Sequence, residues 1–213
     1  PELHRVLIAD EVGLGKTIEA ALVVQQLLER QAGLRVLYLA PARLVSNVMR
    51  EMKRLGLPFR QWVSGGEADA RLSDPLVVAS IHRAIHERHF KSFVQERWDV
   101  LIVDEAHHLS DWAKGGGSPL RKYKLVDELQ RNLPPTGRLV LLSGTPHQGH
   151  GARFENLLKL LRGPAEPEDA VRGRVIYRTK EDIKDWDGHL VFPHRDVRKA
   201  VTVDLGPEYR AWL

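Results

Sequence analysis

The chain has 213 residues, 43% hydrophobic and 28% charged, which suits one large globular domain, or one domain with an appendage, and is long enough to bury a full core. Its 32 basic and 28 acidic residues leave a net charge of +4, compatible with a nucleic-acid partner without requiring one. The absence of cysteine excludes disulfides and cysteine–zinc sites and fits a reducing cytosol.

The first strand is expected early, at Arg5–Ala9, and a glycine-rich turn follows it. Residues 16–31 then carry apolar side chains at helical spacing until Gly33. Arg35–Ala40 reads as a strand ended by Pro41, residues 43–55 as a helix closed by Gly56, and Phe59–Val63 as a short strand. Leu76–Ser80 is a further strand, followed by one helical stretch to about Gln95. Trp98–Asp104 is the most apolar strand, residues 119–131 and 152–162 are helical, and Arg138–Ser143 is a strand. Residues 64–74 and 110–119 read as loops. From 163 to 196 charge, proline and glycine dominate, and Val197–Leu205 alternates as one late strand. Near-continuous apolar strands alternating with helices imply an α/β fold, with a mostly parallel sheet covered on both faces.

No stretch of about 18 apolar residues offers a membrane span, and no basic-then-apolar signal peptide opens the chain. The abrupt opening at Pro1 and the helical start at Leu213 read as the edges of a piece of something longer.

Two segments carry chemistry. Strand, glycine turn and helix start at Asp10-Glu11-Val12-Gly13-Leu14-Gly15-Lys16-Thr17 make an anion site, where backbone N–H groups converge and the helix dipole favours negative charge. Gly13 and Gly15 let the backbone curl around phosphates. Lys16 supplies a charge for the β and γ phosphates of ATP, and the Thr17 hydroxyl can ligate Mg2+. The general pattern has glycine where this chain has Asp10. The second segment, Asp99–His107, is a buried strand ending in Asp104 and Glu105. At the carboxyl end of a parallel strand Asp104 can hold Mg2+, and Glu105 can accept a proton from an attacking water.

Together these segments resemble the superfamily-two helicases and translocases. Asp104-Glu105-Ala106-His107 looks like their D-E-A-H box, and Asp10–Thr17 is similar to the D-E-x-G-L-G-K-T loop of the SWI/SNF-type ATPases, in which aspartate is the usual first residue. Ile18-Glu19-Ala20 and His108 resemble the bacterial RapA-like branch. Leu141–Gln148 resembles the S/T-G/A-T-P element that couples hydrolysis to DNA movement. Leu37–Leu44 and Val77–His82 look like the two DNA-contacting motifs, and Tyr177–Asp182 like the segment leading to a second lobe.

The resemblance implies a three-layer αβα RecA-like P-loop NTPase lobe at residues 1–162, with 163–213 as an extension towards a second RecA-like lobe. No match to that lobe, its arginine finger or the upstream glutamine motif is found in the chain, so weak nucleotide binding and poor hydrolysis are expected of it alone. Glu11, Val12, Gly13, Leu14, Gly15, Lys16 and Thr17 would bind ATP, Thr17 and Asp104 would hold Mg2+, and Glu105, Lys16 and Asp104 would be catalytic. His107, Ser143 and Thr145 would couple the ATP site to movement. Pro41, Arg43, Ser80 and His82 would contact nucleic acid.

The implied activity is ATP-dependent translocation on double-stranded DNA that remodels or displaces bound protein, with RNA polymerase or another DNA-bound protein as a candidate partner, in the bacterial cytoplasm or nucleoid. A strand-separating superfamily-two helicase on DNA or RNA is the alternative, though RNA helicases with this box usually carry a G-S-G-K-T loop. A nucleotide-gated binding module without motor activity is the alternative of another class; retention of Lys16 and Glu105 argues against it.

Other candidates read as structural. His82, His86 and His89 share helical spacing, but without cysteine or evident supporting ligands a surface face is favoured over a metal site. Lys114, Arg121, Lys122 and Lys124 form a basic run that reads as a solvated face or as phosphate contacts without sequence preference. Trp112 is expected to be buried.

Overall fold

In the computed structural model, residues 4–65, 70–114, 119–144, 151–163, 166 and 168–192 are described. Seven strands form one sheet: β1 Arg5–Ile8, β2 Val36–Ala40, β3 Arg60–Gln61, β4 Leu76–Ser80, β5 Val100–Val103, β6 Arg138–Leu142 and β7 Val175–Ile176. They lie in the order β3-β4-β2-β5-β6-β1-β7, and every pairing is parallel. The helices are α1 Lys16–Arg30, α2 Val45–Arg54, α3 Ile81–Ala84, α4 Glu87–Gln95, α5 Arg121–Arg131 and α6 Gly151–Leu161.

The strands look uniformly apolar because both faces are covered, and alternate residues serve separate cores. Ile8, Val36, Tyr38, Ala40, Val78, Ile102 and Leu142 face one layer with Ala20, Val24, Val48 and Met52 of α1 and α2. Leu7, Leu37, Leu39, Val77, Leu101, Val103 and Leu141 face the other, with Phe93, Leu125, Leu129, Leu157 and Leu161 of α4, α5 and α6. The result is the three-layer αβα architecture expected from the sequence.

Three segments differ from the sequence reading. The stretch after β4 is two helices rather than one, because His86 is extended (φ −63°, ψ 142°) and opens α4 as a new helix. His82 and His86 are exposed, whereas His89 is buried with its ring edge-on to Trp62 at 4.9 Å, so the three histidines share no surface face. Ala106–Lys114, read largely as loop, is 3-10 helical with a kink at Ser110.

The seventh strand lies in the stretch where no periodicity is visible. The chain divides into two compact units after Thr179, and the 3-10 segment Glu168–Arg174 and β7 belong to the larger one. Residues 180–192 open the smaller unit. There Lys184 and Leu190 make an antiparallel bridge, and Asp185 Oδ1 accepts the N–H groups of Asp187 and His189 at 3.0 and 2.8 Å. The expected late strand Val197–Leu205 and Thr145–Gln148 lie outside the described residues, as do the side chains of Trp112 and Lys114.

Candidate functional site

The site forms along the carboxyl ends of β1, β2, β5 and β6. After β1 the chain turns through Gly13 (φ 93°) and Gly15 (φ 87°), both left-handed, and α1 begins at Lys16. A side chain strains such backbone, so glycine is required at both turns. The Lys16 ammonium donates to the carbonyls of Asp10 and Glu11 at 2.8 and 3.4 Å, which keeps it on the inner side of the loop.

Asp104 follows β5 two residues after Ile102, on the face that packs against α1. Its carboxylate accepts the Tyr38 hydroxyl at 3.2 Å through Oδ2 and the Glu105 N–H at 2.8 Å through Oδ1. Burial, reinforced by the charge of Glu105, raises the Asp104 pKa, while the Glu105 N–H, Tyr38 and Lys16 oppose the rise. The Thr17 side chain also lies close enough to the Tyr38 hydroxyl to favour its ionised form, so one buried phenol stands between the two oxygen donors expected to hold Mg2+. Two such donors, with waters completing the shell, fit a hard cation that keeps much of its hydration. Burial and the Asp104 charge push the Tyr38 pKa well up, so its hydroxyl stays protonated. Sequence reasoning missed Tyr38 because it reads as one more apolar residue of β2.

Glu105 adopts φ 49°, the one non-glycine residue with positive φ among those described. This conformation is uncommon for a side-chain-bearing residue and turns the chain sharply off β5. Glu105 Oε2 lies 3.3 Å from His107 Nδ1, and the same nitrogen lies 3.3 Å from Ser143 Oγ at the end of β6. Glu105, His107 and Ser143 therefore meet around one ring nitrogen, while Thr145, the other residue expected to couple the site to movement, lies outside the described residues. Ser143 is fully buried, so its hydroxyl reports on neighbours rather than on solvent. Gly144 then passes over the loop: a Cβ there would stand 2.8 Å from Val12 Cγ2 and 3.5 Å from Lys16 Nζ.

A cavity of about 510 Å³ opens beside the two carboxylates, lined by Pro41, Arg43, His82, His108 and Lys122 as well as Asp104 and Glu105. Three of the four expected nucleic-acid residues thus share a cavity with the acidic pair. Ser80, the fourth, is buried at the end of β4. Partial burial, with Lys122 and His108 nearby, lowers the His82 pKa and keeps that ring neutral further into the acid range. Of the basic run, Arg121 lies over the Phe90 ring at 5.8 Å.

Asp10 does not face the loop interior. Its fully buried carboxylate pairs with Arg178, just beyond β7, and Arg178 also pairs with Glu19 of α1. Both partners occur in segments that mark the family resemblance, but nothing in their spacing brings them together.

Residues 2–151 match the family model for DEAD/DEAH box helicases. The RNA polymerase-associated protein RapA of Serratia proteamaculans (strain 568) is 34% identical over 163 residues, which cover 72% of this chain and 16% of that protein. RapA of Pectobacterium carotovorum subsp. carotovorum (strain PC1) is 37% identical over 163 residues, with the same coverage. The chain thus spans about a sixth of the length of these relatives. Among solved structures, the Sulfolobus solfataricus SWI2/SNF2 ATPase core in complex with dsDNA superposes with a TM-score of 0.67 at 15% identity, over 83% of this chain and 40% of that one. The Pyrococcus furiosus Hef helicase domain superposes with a TM-score of 0.64 at 19% identity, over 84% of this chain and 35% of that one. These two likenesses are of fold.

Proposed function

The chain belongs to the DEAD/DEAH box helicase family, and from that premise we propose that it is the ATP-binding lobe of an ATP-dependent translocase on double-stranded DNA, one that remodels or displaces DNA-bound protein. The observation that carries the ATPase part is the meeting of Thr17, Asp104 and Tyr38 on one side of the acidic pair and Glu105, His107 and Ser143 on the other. Lys16 and the loop N–H groups would hold the phosphates. Thr17 and Asp104 would hold Mg2+, which when bound neutralises charge on the β and γ phosphate oxygens. Glu105 would take the proton of the attacking water. His107 lies within reach of both Glu105 and Ser143, so the state of the base is felt at the end of β6, where the coupling element begins.

The choice of duplex DNA rests on the Asp10–Thr17 form of the loop and on similarity to RapA, whose name associates it with RNA polymerase. It is supported by the likeness in fold to a SWI2/SNF2 core bound to dsDNA. RNA polymerase, or another protein held on DNA, is the proposed target. A strand-separating helicase is the second reading, favoured by the likeness to the Hef helicase domain.

ATP turnover of this lobe joined to the second RecA-like lobe expected of it, measured with and without nucleic acid, tests the proposal. Duplex DNA should raise the rate; a flat response to DNA with a rise on RNA would sink the translocase reading. Third-strand displacement from a triplex without separation of a forked duplex supports translocation, and the reverse supports the helicase. Glu105→Gln should retain nucleotide binding and cut turnover by roughly 10²–10⁴-fold. Normal turnover in that variant removes Glu105 as the base.

A further inference from the structure

Asp10 stands at the head of the phosphate loop with a carboxylate that is 0% exposed. A buried carboxylate keeps its charge only with a cation or several donors at hand. Arg178 provides them: its Nε donates to Asp10 Oδ2 at 2.9 Å, and its Nη2 donates to the same oxygen and to Glu19 Oε1 in the first turn of α1. Asp10 Oδ1 and Glu19 Oε2 have no hydrogen-bond partner among the described residues, so this one guanidinium carries most of the load. The backbone repeats the connection. Ala9 N–H donates to Ile176 C=O at 2.7 Å, and Glu11 N–H to Arg178 C=O at 2.9 Å, on either side of Asp10.

We infer that Arg178 is a positioning residue for nucleotide binding: clamped on Asp10 and Glu19, it fixes the backbone from which Lys16 and Thr17 act, and it makes the shape of the phosphate loop depend on the docking of β7. The inference rests on the nucleotide-site reading above. Three features support a clamp over a phosphate ligand. The guanidinium faces two carboxylates, so its charge is already more than matched. Its partners bracket the loop, one before it and one in the helix after it. And the Asp10 carbonyl is the acceptor of the Lys16 ammonium at 2.8 Å, so moving Asp10 moves the lysine. Lysine could supply the charge at 178 but not the planar fork that reaches both carboxylates.

The test uses the full chain as wild type, R178K, R178M and the double variant D10N/R178M, in which the fully buried side chain at position 10 no longer carries an unpaired charge. Lys16→Ala serves as the control for nucleotide binding. Two quantities are read: amide hydrogen exchange over residues 9–17 against β2 and β5, and the Kd for a fluorescent ADP analogue with Mg2+. The clamp predicts that R178M and the double variant exchange faster over residues 9–17 while β2 and β5 stay protected. It also predicts a Kd weakened by roughly tenfold or more, given the usual strength of charge-assisted bonds. R178K should fall between them and wild type.

Wild-type loop exchange and wild-type Kd in the double variant would overturn the inference. So would uniform loss of protection across the sheet in that variant, which would make Arg178 a general structural residue. If wild type binds the analogue no better than Lys16→Ala, the nucleotide reading fails, and loop exchange alone then decides whether the clamp exists.

Discussion

At the scale of single residues, the site depends on side chains that look inert in the sequence. Lys16, Thr17, Asp104 and Glu105 are legible because each sits inside a contiguous motif at the end of a strand. Tyr38 and Arg178 are not, because their partners are remote in sequence: Tyr38 reaches Asp104, and Arg178 reaches Asp10 and Glu19. Only the fold decides such pairings, since they follow from which strands are neighbours and which face a residue takes. Tyr38 faces α1 by the alternation of β2, and Asp104 does so by the alternation of β5. The phenol therefore orients Asp104 and lies beside Thr17, the two oxygen donors expected around the metal. Removing such a supporting group commonly costs about 10–100-fold in metal affinity. Tyr38→Phe should therefore raise the Mg2+ concentration needed for half-maximal ATP turnover by roughly tenfold. The ring still fills the core, so the fold should persist. An unchanged Mg2+ titration would show that the hydroxyl is only a buried group that has found partners.

At the scale of elements, the five longer helices and most strands follow from periodicity and glycine punctuation, and the exceptions have physical reasons. β7 is two residues long, too short to show alternation, and it is a strand only because β1 offers it an open edge. The break at His86 is a backbone event, an extended residue between two helices that bury side chains in the same core, so the apolar spacing runs on through it. The segment leaving β6 interlocks with the phosphate loop. Alanine at 144 would place its Cβ 2.8 Å from Val12 Cγ2, closer than side chains tolerate, but 4.0 Å from Val12 Cβ, an ordinary contact. Gly144→Ala should thus weaken nucleotide binding by displacing the loop, since Val12 is 65% exposed and yields outward. Val12→Ala combined with Gly144→Ala should restore it. A double-mutant cycle in nucleotide Kd checks this: additive effects would mean that the two segments do not press on each other.

At the scale of the whole molecule, the sheet separates the reactive end from an opposite end held by other charges. There Glu166 accepts both terminal nitrogens of Arg174 at 2.7 Å and the Gly163 N–H at 2.8 Å. The Arg174 hydrogen bonds, with Gly163, hold the Glu166 carboxyl at about 2, down from 4.5. A depressed carboxyl stabilises the fold at any pH above its unfolded value and loses that contribution as pH falls through the folded value. Wild type should therefore melt higher than Glu166→Gln at neutral pH, and the gap should narrow between pH 4.5 and about 2. Melting curves across that window check it; a constant gap would assign the difference to packing. The two ends of the sheet sideways matter as well. Among the described residues both outermost strands, β3 and β7, are two residues long, and β3 presents Arg60 and Gln61. A sheet whose inner strands are continuously apolar would invite other chains to add to it if it ended on one of them. Where the described sheet ends on such short strands, a foreign strand finds few backbone groups to pair with, so the outline of the sheet itself works against edge-to-edge association.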